Sequence, residues 1–192
     1  MDAHVSRLRG ADLLVLGALA DRVRAEEVGA DVRIYMTGAP PSGDGGAPPS
    51  GEGSAPPSGD AGVIVLPREG QDLAGLDLLR EVAVARITAP RGARVRVDWA
   101  RCGLELAQVA LGFGANELAG PIANKRGLPL AQGEMLGVGK KSGWEPAERV
   151  KRRELASCVE RGGRVAVFVG RDGAPESVEG AGLTQEAAEC RP

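Results

Sequence analysis

The residues of this chain that could do chemistry are few, and their spacing excludes most mechanisms. His4 is the only histidine. It lies in an N-terminal stretch expected to fray, so neither a Ser-His-Asp nor a Cys-His arrangement has a base. Cys102, Cys158 and Cys190 are far apart and contain no Cys-x-x-Cys pair. With one histidine beside them they cannot supply the ligand spacing of a zinc site, and no metal is expected. An odd number of distant thiols suits a reducing compartment, so the chain reads as cytoplasmic. Gly133 to Ser142 imitates a phosphate-cradling loop in its glycines, Lys140 and Ser142. However, Gly139 stands six positions after Gly133, one more than that motif allows, and Lys141 intrudes before the serine. The hydroxyl therefore cannot reach a nucleotide-bound metal, and a basic loop is expected instead.

What remains is a set of polar side chains near strand ends. Open α/β sheets and barrels bind ligands at the carboxyl ends of their strands, which makes Asp98, at the end of one strand, and Asn116 and Glu117, in the next, the candidate ligand-binding residues. Each carboxylate could serve a pocket, or could instead pair with an arginine such as Arg94 or Arg101. Both readings stay open on the sequence. A simple acid–base enzyme using Asp98 or Glu117 is one functional alternative; a purely structural interaction protein is another.

The elements that would position these residues follow from periodicity. Ala11 to Glu27 repeats at helical spacing. Its apolar start, Leu13 to Ala20 behind Arg7 and Arg9, imitates a secretory signal, but the amphipathic pattern continues past the point of cleavage. Val32 to Met36 alternates polar and apolar residues as a strand does. Gly62 to Leu66 is a short apolar run ended by Pro67, Leu73 to Ile87 a helix closed before Pro90, and Arg94 to Trp99 another alternating strand. A helix over 103–111 stops at Gly112 and Gly114, and Asn116 to Ala119 reads as a buried strand. A glycine-rich loop is expected over 120–143, then a helix opened by Pro146 and ended by Gly162, with Cys158 on its apolar side beside Ala147, Val150 and Leu155. Val165 to Val169 is the last strand, and 173–192 reads as a flexible tail. Between Gly38 and Ala61 an octapeptide occurs three times, each copy with a Pro-Pro pair. Proline blocks helix and ladder while glycine loosens the chain, so 38–61 is expected to be a disordered linker.

Aromatic residues make up 3% of the chain, so the core must be aliphatic, which favours helices layered on parallel strands. Strands alternating with helices predict an α/β fold: an open, partial β/α barrel of about five mainly parallel strands, in one domain over 1–192. Asp44, Glu52 and Asp60 of the repeats carry three negative charges, leaving a net +1 on the rest of a chain whose total is -2. With no continuous basic stripe, nucleic acid is not an expected partner. No segment is long enough to span a membrane.

One stretch resembles a known family. Val97 to Gly120, with Ala107-Gln108-Val109-Ala110-Leu111-Gly112-Phe113-Gly114-Ala115 at its centre, is similar to the C-terminal barrel segment of the radical SAM enzymes of futalosine-type menaquinone biosynthesis, aminofutalosine synthase and dehypoxanthine futalosine cyclase. Val82 to Arg86 looks like the helix before that segment. Leu16 to Arg24 and Val32 to Met36 look like the opening helix and first strand. The resemblance implies a truncated relative, because the family's Cys-x3-Cys-x2-Cys loop, which holds the iron–sulfur cluster, has no counterpart after Met36. Proline-rich repeats follow that strand, and the chain resumes near the family's sixth strand. Gly120-Pro121-Ile122-Ala123-Asn124 replaces the family's Gly-Thr and following Glu residues, leaving Asn124 as the candidate polar group of an altered substrate loop. Without thiolate ligands no cluster can be held. The implied protein is a non-catalytic, cofactor-free partial barrel that binds a small molecule or serves as an accessory protein. Its inner face, stripped of the missing strands, is expected to be apolar and covered by a second copy or a protein partner.

Overall fold

In the computed structural model, residues 3–37, 62–68, 70–73, 75–124, 130–131, 133–138, 143–170 and 174–176 are described. The repeats at 38–61 and nearly all of 173–192 lie outside them. Helix α1 (Ala3–Arg9) and helix α2 (Leu13–Val28) lead into strand β1 (Asp31–Thr37). The apolar stretch that imitates a signal forms the first turns of α2. There Asp12 accepts hydrogen bonds from the free amides of Leu14 and Val15 at 3.0 and 3.1 Å, while Leu16 and Ala20 are buried. Gly17 brings α2 against the ring of Phe113; a Cβ there would lie 2.6 Å from it. Strand β2 (Val63–Leu66), helix α3 (Gly75–Thr88) and strand β3 (Arg94–Asp98) follow. The expected helix over 103–111 is preceded by a separate turn, α4 (Trp99–Cys102), because Gly103 at φ 85° breaks the run before α5 (Leu104–Ala110).

Strand β4 (Glu117–Pro121) is next, then a two-stranded antiparallel arm of β5 (Met135–Gly137) and β6 (Trp144–Pro146). Strand β5 falls within the segment expected to be wholly loop, and β6 lies just past it, at the opening of the expected helix; strands of three residues have too few positions to show alternation. Helix α6 (Ala147–Arg161) and strand β7 (Val165–Phe168) complete the described elements. Of the expected tail, residues 174–176 lie along β7, with a bridge from Val169 to Pro175 and a 2.8 Å bond from Glu176 N to the Phe168 carbonyl.

The main sheet is parallel throughout and runs β2-β3-β4-β1-β7. Two neighbours, β2-β3 and β3-β4, are sequential, and β1 lies between β4 and β7. The sheet does not close on itself, and with its interleaved helices it is an open, partial β/α barrel. Its covered face carries Val32, Ile34, Leu66, Val95, Val97 and Leu118, all at most 2% exposed. These join Leu78, Leu79 and Val82 of α3, Ala107 and Ala110 of α5, and Leu155 and Val159 of α6 in one core. Burying each such aliphatic side chain contributes about 1.5–3 kcal/mol. Gly120 lets the Trp99 ring lie against β4, where a Cβ would meet the indole at 2.4 Å, and Trp99 Nε1 donates to the Pro121 carbonyl at 2.9 Å.

Candidate functional site

Because side chains alternate along a strand, the residues between those of the core point to the opposite, inner face. They are not apolar as expected. On β1 they are Asp31, Arg33 and Tyr35, on β3 Arg94 and Arg96, and on β4 Glu117. The apolar residues of this face, Val63 and Val65 on β2 and Val165 and Val167 on β7, flank the charged centre. The expectation of an apolar inner face fails because alternation alone decides which residues point away from the helices, and in β1 and β3 those residues are mostly charged.

The register sets the geometry. Glu117 is level with Arg33 on one side and Arg96 on the other, so an Arg-Glu-Arg row crosses three adjacent strands. Arg96 donates to Glu117 Oε2 from Nε at 2.9 Å and from Nη2 at 2.8 Å. Arg94 Nη1 and the Tyr35 hydroxyl each lie 3.4 Å from Oε1. The Arg96 guanidinium also stacks over the Tyr35 ring, 4.2 Å from its centroid. Glu117 has no exposed surface. Burial raises its carboxyl pKa above the ordinary value, and the opposing pull of Arg96 and Arg33 does not cancel that rise. Burial, with the nearby negative charge of Glu117, likewise raises the Tyr35 hydroxyl.

Arg33, Arg94 and Arg96 share this face with two carboxylates, and Glu117 is engaged by Arg94 and Arg96 while Asp31 stands beside Arg33 on β1. The Arg33 guanidinium makes no hydrogen bond or ion pair with any described residue, though its charge is felt at Glu117 and Tyr35. A planar guanidinium without a partner is suited to a carboxylate or phosphate, which it can bind through two parallel hydrogen bonds. Towards the amino ends of the strands the face opens into a cleft of about 340 Å³, lined by Arg33, Arg94, Glu27 and Asp31 and walled by Val28 and Val167.

The four residues picked from the sequence do not meet in one pocket among the described residues. Asp98 lies at the carboxyl end of β3, where it caps α4 by accepting from Ala100 N at 2.9 Å. Asn124 sits past that same end of β4 and is half-buried. Asn116 and Glu117 are at the amino end of β4, roughly 13 Å along the strand from its carboxyl end, while Asp98 is level with Ala119, about 6.6 Å on from Glu117. Asn116 is buried, and its Oδ1 accepts from Arg86 Nη2 at 2.6 Å and from Val95 N at 2.9 Å. Glu117 does pair with Arg94, the partner weighed on the sequence, but its shorter bonds are to Arg96. Arg101, the other partner weighed there, instead donates to the carbonyls of Pro67 and Arg68 at 2.8 and 3.1 Å.

Arg33, Tyr35 and Arg96 were not singled out by sequence reasoning. The signal for them was the polar half of the alternation in Val32 to Met36 and Arg94 to Trp99. Cys102 is half-buried, and burial together with the charge of Asp98 pushes its thiol up to about 11. Among the described residues no group of three His, Cys, Asp or Glu side chains is placed to hold a metal, and no helix is long and apolar enough to cross a membrane. Comparison with models of known protein families, with curated proteins and with solved structures finds no match to this chain.

Proposed function

We propose that this chain is a non-catalytic, small-molecule-binding or accessory protein of the cytoplasm, with the arginine-lined inner face of its partial barrel as the ligand surface. The observation that carries the reading is Arg33, whose guanidinium has no hydrogen-bond or ion-pair partner among the described residues and stands in the Arg-Glu-Arg row at an open cleft. The acid–base alternative finds less support. The Asp98 oxygen Oδ1 is engaged in capping a helix, and Glu117 is enclosed by its own donors with no surface left for a substrate.

Within the same proposal, the chain is a truncated relative of the futalosine-pathway radical SAM enzymes, linked to menaquinone biosynthesis. The placement of β1 beside β4 supports this if β2, β3 and β4 correspond to the family's last three strands, with β7 added on the other side of β1. Thermal-shift measurements against futalosine-pathway intermediates and S-adenosylmethionine test the reading. A ligand of the native state present at 100 times its Kd adds about 2.7 kcal/mol and raises Tm. The rise should vanish in Arg33→Gln. No rise with any of these compounds removes the menaquinone link, and a rise that Arg33→Gln leaves intact overturns the assignment of the surface.

A further inference from the structure

The amino-end cleft holds two carboxylates as well as two guanidinium groups, and this composition bears on what it binds. Asp31 and Arg33 are two positions apart on β1 and share one face, about 6.6 Å apart along the strand. Although so near, they form no ion pair with each other, and Asp31, like Arg33, makes none with any other described residue. By the register through Glu117, Asp31 is level with Arg94 two strands away, a separation of about 9–10 Å. Glu27, at the end of α2, adds a second carboxylate to the wall and accepts from Gly92 N at 3.3 Å. Opposite charges therefore line one small cavity at one or two strand spacings, and the two side chains on β1 have no ion-pair partner among the described residues.

A simple anion placed here would meet Arg33 and Arg94 but would face Asp31 and Glu27 at close range, where like charges disfavour it. A molecule with both signs on a short skeleton satisfies both sets. We infer that the amino-end cleft takes a small zwitterion bearing a carboxylate and an ammonium group, as a free α-amino acid does: Arg33 and Arg94 receive the carboxylate, and Asp31 with Glu27 the ammonium. This rests on the reading of the arginine-lined face as the ligand surface and adds the chemical class of the ligand. The volume of about 340 Å³ lies at the small end of ligand cavities.

The test is amide chemical-shift mapping on the full chain with the proteinogenic L-amino acids. Each amino acid that shifts the resonances of Gly92, Arg94 and Asn116 is then compared with its deaminated acid and its decarboxylated amine. The expected result is that at least one zwitterion binds tenfold or more tightly than either analogue. Asp31→Asn, which alters an exposed side chain and leaves the core untouched, should lower the affinity for that zwitterion about tenfold while leaving the deaminated acid unaffected or tighter. Equal or tighter binding of the deaminated acid in the unaltered chain overturns the inference and leaves the anion-binding face standing. Unchanged zwitterion affinity in both Asp31→Asn and Glu27→Gln also overturns it. If no compound shifts the cleft resonances up to about 10 mM while the melting curve shows an intact fold, this inference and the ligand surface it rests on both fail.

Discussion

Replacing Arg86 with methionine should cost this protein a large share of its stability, although Arg86 touches no ligand surface. The side chain is fully buried. It donates from Nε to the Gly114 carbonyl at 2.8 Å, from Nη1 to the Ala93 carbonyl at 2.6 Å and from Nη2 to Asn116 Oδ1 at 2.6 Å. These acceptors stand at the entries to β3 and β4, so one guanidinium from α3 fixes where both strands begin. Gly114, at φ 95°, leaves room for it; a Cβ there would lie 2.8 Å from Arg86 Cγ. None of the three acceptors is a carboxylate, and burial lowers the pKa of the guanidinium.

Each hydrogen bond to a charged group contributes about 1.5–3 kcal/mol, so three give roughly 5–9 kcal/mol before the cost of desolvating the cation is counted. Methionine keeps most of the apolar stem and removes that desolvation cost, which amounts to several kcal/mol, but leaves two buried carbonyls without donors. The net loss expected is about 3–5 kcal/mol, against a total stability of about 5–15 kcal/mol for a domain of this kind. Urea denaturation of Arg86→Met and the unaltered chain measures it, with an unchanged slope showing that the unfolded states are comparable. Asn116→Ala should couple to Arg86→Met by more than about 1 kcal/mol in a double-mutant cycle. A loss below about 1 kcal/mol at unchanged slope would refute the reasoning, because water or neighbouring donors would then be replacing the guanidinium.

Glu117 and Cys102 carry the remaining expectations. Since burial raises the Glu117 carboxyl, the folded state keeps its proton at a pH where the unfolded chain, near 4.3, has lost it; its contribution is full below that value and falls as pH rises towards the folded pKa. Urea midpoints from acid to neutral pH should therefore show the unaltered chain losing stability relative to Glu117→Gln, and a difference that grows in its favour instead would mean the arginines outweigh burial. With the Cys102 thiol pushed up to about 11, its thiolate fraction at neutral pH falls on the order of 100-fold or more below that of a free cysteine near 8.5. Alkylation of the Cys102 peptide, followed by mass spectrometry against a free cysteine peptide, should be slower by that order; comparable rates would show that burial does not control this thiol.

The sequence by itself determined the local elements, because their causes are local. The 3.6-residue period of α2 and α3, the alternation in β1 and β3, and the stops at Gly112, Gly114 and Gly162 act within a few neighbours, and the structure has those elements near the expected places. A parallel sheet with interleaved helices followed from their order alone. The tertiary structure decided which side chains meet. Arg33 and Arg96 are far apart in the chain and become neighbours of Glu117 only through the order β3-β4-β1 and its register. Asn116 reads as a ligand-facing amide on the sequence; it does line the amino-end cleft, but its side-chain oxygen is held by Arg86, 30 residues before it. Which face of a strand the helices cover depends on the sum of all the elements packed against it. Alternation announced that β1 and β3 each have a polar side, but only the assembled sheet turned those two sides into one charged surface.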